Sequence, residues 1–97
     1  MLSIGYMPDT HGGPYEQPEP DAERSARFAE QLLQEAEQAE RSGFDGIFVP
    51  ERHARPECMF PAPLTLLAAI AARTQRVKIG SYVIMPPLYN PVHLAEE

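Results

Sequence analysis

Leu2 to Met7 is a short apolar, β-capable run closed by Pro8, which predicts a first strand. From Pro8 to Pro20 the chain turns to Pro, Gly and polar residues, and the triplet Gly12-Gly13-Pro14 predicts a long loop without regular structure. A helix is predicted from Asp21. Aspartate at the N-cap and Glu23 in the first turn suit the positive end of a helix dipole, and Phe28, Ala29, Leu32, Leu33, Ala36 and Ala39 recur at helical spacing. The outer face carries Glu23 with Arg27 and Glu37 with Arg41, both i, i+4 in the favourable order. Gly43 followed by Phe44 predicts a Schellman stop.

Asp45 to Val49 (DGIFV) reads as a second strand, closed by Pro50 and followed by a second long loop, Glu51 to Pro63. Leu64 to Ala72 is helical and apolar on most sides, which predicts packing on two faces, and the helix ends near Arg73 and Thr74. Val77 to Met85 forms a third strand. After Pro86-Pro87, Asn90 and Pro91 take the N-cap and N1 positions of a helix over Val92 to Glu97. The order β-α-β-α-β-α predicts an α/β fold with a parallel sheet covered by helices. The helix-to-strand links around Gly43 and Gln75-Arg76 are short, whereas the first two strand-to-helix loops exceed the usual two to six residues. In parallel α/β proteins the carboxyl ends of the strands carry the site, so function is expected in Pro8 to Pro20, Glu51 to Pro63 and Met85 to Asn90. Three parallel strands cannot close a barrel, and the outer two would leave edge backbone unpaired. The expectation is the first part of a larger α/β protein; the alternative is a small three-layer domain that dimerises to cover its edges.

Composition narrows the partners. The 97 residues make one domain at most, and 43% hydrophobic content argues against disorder. With 14 acidic against 8 basic residues and a formal charge of −6, the chain offers no electrostatic footprint for nucleic acid or an anionic membrane. Cys58 is the single cysteine and points to a reducing compartment. No signal-like h-region opens the chain, and no apolar run approaches the ~18 residues of a membrane span, so a cytoplasmic location is expected.

There is no GxGxxG after the first strand, no GxxxxGK[ST], no GxSxG and no HExxH. What remains is Pro50-Glu51-Arg52-His53 at the end of strand two, with His11 in the first loop and Tyr82 near the end of strand three. Glu51 and His53 are two apart, so in an extended segment they point the same way, and a carboxylate and an imidazole there can serve as orienter and base. The competing reading makes Glu51 and Arg52 solvated loop charges and His53 a partner of loop backbone. His11, Glu51 and His53 are also metal-ligating residue types. Cys58 lacks a basic neighbour closer than Arg55 and reads as an ordinary thiol, and His93 as a helix-surface residue.

The blocks Gly43 to His53 (GFDGIFVPERH), Pro63 to Thr74 (PLTLLAAIAART), Val77 to Ser81 (VKIGS) and Pro87 to Glu97 (PLYNPVHLAEE) together resemble the N-terminal part of the bacterial luciferase-like monooxygenases. The resemblance implies a (β/α)8 TIM barrel of roughly three times this length, with residues 1–97 as the N-terminal fragment of that single domain, inactive alone. It implies a flavin-dependent oxidoreductase, foremost a monooxygenase using reduced FMN and O2 on a small-molecule substrate. A deazaflavin (F420)-dependent dehydrogenase and a non-catalytic barrel subunit are the alternatives, and a homo-oligomer fits any of them. The family's Glu-His-His matches Glu51-Arg52-His53: the second histidine is retained, whereas Arg52 replaces the first, the usual candidate base of the luciferases. Catalytic roles are thereby implied for His53 and Glu51. Ser81, Tyr82 and Val83 match the segment that backs the flavin ring, where a non-proline cis peptide, or failing that a bulge, is expected between Tyr82 and Val83. Flavin-phosphate contacts are implied to come from later strands.

Overall fold

The computed structural model describes residues 1–12 and 21–97. Helix α1 (Ala22–Arg41) starts where Asp21 accepts the Arg24 N–H at 2.7 Å and stops in the predicted Schellman geometry. There Phe44 N–H reaches Ala39 C=O and Gly43 N–H reaches Glu40 C=O, both at 3.1 Å, with Gly43 at φ +88°. Strand β1 (Gly5–Tyr6), strand β2 (Gly46–Val49) and strand β3 (Lys78–Ser81) form one parallel sheet in that order. Helix α2 (Pro63–Arg73) crosses between β2 and β3, with Pro63 at N1, where a missing N–H costs nothing. A 3₁₀ turn (Pro86–Leu88) follows, and helix α3 (Pro91–Glu96) is capped by Asn90, which accepts the Val92 and His93 N–H groups.

The predicted elements are all present, with two strands shorter than expected and one helix packed differently. β1 is two residues long rather than Leu2 to Met7. Before it, Ile4 still meets Asp45, whose backbone N–H donates to Ile4 C=O at 2.9 Å and whose side chain takes the Ile4 N–H at 2.8 Å, and Leu2 and Ile4 lie exposed. β3 ends at Ser81 rather than Met85: the last bond to β2 runs from Tyr82 N–H to Val49 C=O at 2.8 Å, and the Tyr82–Val83 peptide bond that follows is cis. α2 buries one face, through Pro63, Leu66, Leu67 and Ile70; Ala68, Ala71 and Ala72 are exposed, so the expected second packed face is uncovered. The loop expected over Pro8 to Pro20 falls largely on residues 13–20, outside the described residues.

The two faces of β2 divide the molecule. Ile47 and Val49, both fully buried, point toward α1 and α2 and pack with Leu32, Ala36, Ala39, Leu66, Leu67 and Ile70. Gly46 and Phe48 occupy the opposite face, since strand side chains alternate. The Phe48 ring lies across glycines on all three strands: a Cβ at Gly5 or Gly46 would meet it at 2.8 Å, and one at Gly80 at 3.2 Å. The register places Gly5 opposite Gly46 and Gly80 opposite Phe48, so these four positions share one face.

At the amino ends of the strands the turn between α2 and β3 is held by Glu40, near the end of α1. Its carboxylate accepts the backbone N–H groups of Gln75 at 3.0 Å, Arg76 at 2.5 Å and Val77 at 2.8 Å. Those bonds, that from Arg76 foremost, hold the carboxyl below its usual range. Arg73 bridges outward from α2 to Glu30 and Glu37 of α1. Among the described residues no helix is long and apolar enough to cross a membrane.

Candidate active site at the carboxyl ends of the strands

Pro50 ends β2 and delivers Glu51 to the rim of the sheet. The Glu51 side chain is wholly shielded from solvent and accepts from three donors. His53 Nε2 lies 2.6 Å from Oε1, the Tyr89 hydroxyl donates to the same oxygen at 2.9 Å, and the Met85 backbone N–H donates to Oε2 at 2.5 Å. Burial alone would raise the Glu51 pKa; the three donors outweigh it and hold the carboxyl below the ordinary glutamate value. The Tyr89 hydroxyl is pushed up to about 12, first by burial and then by its bond to this carboxylate. Glu51 is thus an ionised acceptor that ties the end of β2 to the segment following β3.

The i, i+2 spacing therefore does bring Glu51 and His53 together, and the reading of Glu51 as a solvated loop charge is corrected: it lost because Met85 and Tyr89, far along the chain, enclose the carboxylate. Ser81 is half-buried in β3 opposite Val49, and the Tyr82–Val83 peptide beyond it is cis, as expected. Tyr82 and Val83 are 67% and 65% exposed, an open apolar ledge at the rim. Met85, two residues after Val83, links this segment to Glu51 and through it to His53.

His11 stands apart from that pair. Its Nδ1 lies 2.6 Å from Asp9 Oδ1, and the Arg52 guanidinium donates to its Nε2. Asp9 is correspondingly held below its usual pKa, chiefly by the His11 backbone N–H. The first loop is not free here: His11 bridges Cys58 in antiparallel fashion, Gly12 N–H bonds Glu57 C=O at 2.7 Å and Met59 N–H bonds Thr10 C=O at 3.1 Å. Among the described residues no group of three or more His, Cys, Asp or Glu side chains could hold a metal. Cys58 is a half-buried free thiol, and His93 sits exposed in the first turn of α3. Tyr89 and the Met85 N–H are the site groups that sequence reasoning missed. They lie 38 and 34 positions from Glu51, and no local pattern signals either contact.

Comparison with known proteins identifies the scaffold. The family model for luciferase-like monooxygenases matches residues 5–97. The chain belongs to this family. It is 26% identical over 77 residues to the oxygenase component of the flavin-dependent trigonelline monooxygenase of Acinetobacter baylyi, covering 79% of this chain and 21% of that protein. To an F420-dependent glucose-6-phosphate dehydrogenase of Kineococcus radiotolerans it is 36% identical over 97 residues, covering 93% of this chain and 28% of that one. The solved structure of apo-MsnO8 superposes with a TM-score of 0.79 at 27% identity, over 99% of this chain and 27% of the other. The luciferase-like chain thus spans between 21% and 28% of the length of these relatives, and its fold corresponds to an N-terminal barrel portion. Barrels of this kind carry their sites at the carboxyl ends of the strands, and Glu51, His53 and the Tyr82–Val83 ledge stand at that end of this sheet.

Proposed function

We propose that residues 1–97 are the N-terminal portion of a single (β/α)8 domain whose intact form is a flavin-dependent monooxygenase, using reduced FMN and O2 on a small-molecule substrate in the cytoplasm. The convergence of Glu51, His53 and the exposed Tyr82–Val83 ledge at one rim of a luciferase-like sheet carries this reading. A planar ring system needs a flat apolar support beside a polar group, and this rim offers both, so its residues fit the ring end of a flavin. Ser81, Tyr82 and Val83 would back the ring. Reduced flavin supplies the electrons for oxygen activation; the protein's part is to hold the ring, keep water out and place the substrate. His53, held by a buried carboxylate, is the group suited to take or give a proton at the rim. The formal charge of −6 supports a small-molecule partner rather than nucleic acid or membrane.

A second reading, hydride transfer with deazaflavin F420, is favoured by the 36% identity to an F420-dependent dehydrogenase across nearly the whole chain. Purification of the intact protein with its cofactor separates the two: a flavin spectrum and oxygen uptake with reduced FMN support the monooxygenase. A deazaflavin spectrum without oxygen uptake supports the dehydrogenase. Absence of both would leave a non-catalytic barrel subunit.

A further inference from the structure

The segment after β3 is fastened to the end of β2 at three points: Tyr82 N–H on Val49 C=O at 2.8 Å, Met85 N–H on Glu51 Oε2 at 2.5 Å and Tyr89 hydroxyl on Glu51 Oε1 at 2.9 Å. Between the last two, the 3₁₀ turn closes on itself through Leu88 N–H to Met85 C=O and Tyr89 N–H to Pro86 C=O, both at 3.0 Å. The turn therefore presents two donors at fixed spacing to one carboxylate. An ionised carboxylate only accepts, so the His53 nitrogen it meets, Nε2, must carry a proton. Among the described residues Nδ1 has no partner, and the His53 side chain is 41% exposed.

We propose that Tyr89 is a positioning residue: by donating to the Glu51 oxygen that also meets His53, it holds in place the carboxylate that fixes His53 as the Nε2–H tautomer, with Nδ1 as the working nitrogen, in register with the Tyr82–Val83 ledge. The proposal deepens the function given above and rests on it, since it names the atom through which His53 handles a proton. Two oxygens serve three donors, so Oε1 is shared between Tyr89 and His53. Loss of the tyrosine donor leaves that oxygen free to turn and loosens its hold on the imidazole. Loss of the carboxylate removes that support. The other charged groups near His53 are committed elsewhere, Arg52 on His11 and Arg55 3.6 Å from Glu57, so Glu51 is the charge that sets the ring.

The test is nitrogen-15 NMR of the histidine rings in the intact protein, as wild type, Tyr89→Phe and Glu51→Gln. In the neutral ring of the wild type, His53 should show protonated Nε2 and bare Nδ1; the opposite tautomer overturns the proposal without any variant having to fold. Glu51→Gln, which removes the obligate acceptor, should let the ring populate both tautomers, and Tyr89→Phe should move it the same way by a smaller amount. An unchanged tautomer in both folded variants would reduce the Glu51 network to scaffolding and overturn the proposal. Oxygen uptake and the cofactor spectrum, read on the same wild-type protein, judge the flavin reading separately: the tautomer is set by Glu51 whichever cofactor is bound.

Discussion

His53 and His93 lie in the same chain with opposite prospects. The first is held at 2.6 Å by a solvent-shielded carboxylate at the sheet rim, the second stands exposed on a short helix. In the intact enzyme His53→Ala should lower turnover at least tenfold, about 1.4 kcal/mol of transition-state stabilisation, while His93→Ala should leave it nearly unchanged. Steady-state rates on the two variants check this, and equal losses would count against His53. The dyad was legible from sequence because a two-residue offset in an extended segment aligns side chains on one side. Its burial was not, since the enclosing Tyr89 and Met85 are far away along the chain. His11 shows the converse. Read as a residue of a loose loop, it is pinned by the Cys58 bridge and occupied by Asp9 and Arg52, contacts that no spacing encodes. The arginine that replaces the family's first histidine thus bonds another histidine, 41 positions earlier.

Helix α1 was readable end to end because its signals are local: Asp21 at the N-cap, the Schellman glycine and the apolar stripe between them. The extent of β3 was not. Apolar residues run past Ser81, and periodicity does not register where the chain leaves the ladder. Glu40 also escaped notice, although it acts as a brace between elements by accepting three consecutive N–H groups from the turn into β3. Its folded pKa lies below the ordinary 4.5, so its stabilisation is complete above that value and is lost as pH falls through it. The thermal stability of the intact protein should therefore fall on acidification, and Glu40→Gln should show a smaller dependence across the same range; identical slopes would remove the brace. The glycine bed under Phe48 makes a second prediction about elements. Gly46→Ala would place a methyl 2.8 Å from the ring and should destabilise by about 1 to 3 kcal/mol. In a Phe48→Leu background the same change should cost less, because the clash is with the ring itself. Denaturant midpoints of the four proteins measure the coupling, and simple additivity would show that the glycines serve something other than the ring.

For the molecule as a whole, the fold class and the parallel sense of the strands followed from the alternation of elements, since consecutive strands joined through a crossover helix run the same way. The uncovered alanine face of α2 shows what that alternation does not contain: a helix apolar on most sides reveals that it has neighbours, not whether they lie within these 97 residues. The same division applies to the ligand. The 97 residues carry a ledge for one face of a ring system, together with Glu51 and His53, on a sheet of three strands. A ledge open to solvent excludes little water and immobilises the ring from one side only, so the entropy lost on binding is poorly offset. By family resemblance the flavin phosphate is held by later strands, which removes the charge-assisted bonds that would otherwise anchor the cofactor. We therefore expect residues 1–97, expressed alone, to show no saturable flavin binding in the micromolar range, whereas the intact protein should bind. A fluorescence titration of each with FMN makes the comparison. Saturable micromolar quenching by the 97 residues alone would mean that the rim of β1 to β3 is a sufficient flavin site, and that the phosphate contributes far less to affinity than its charge suggests.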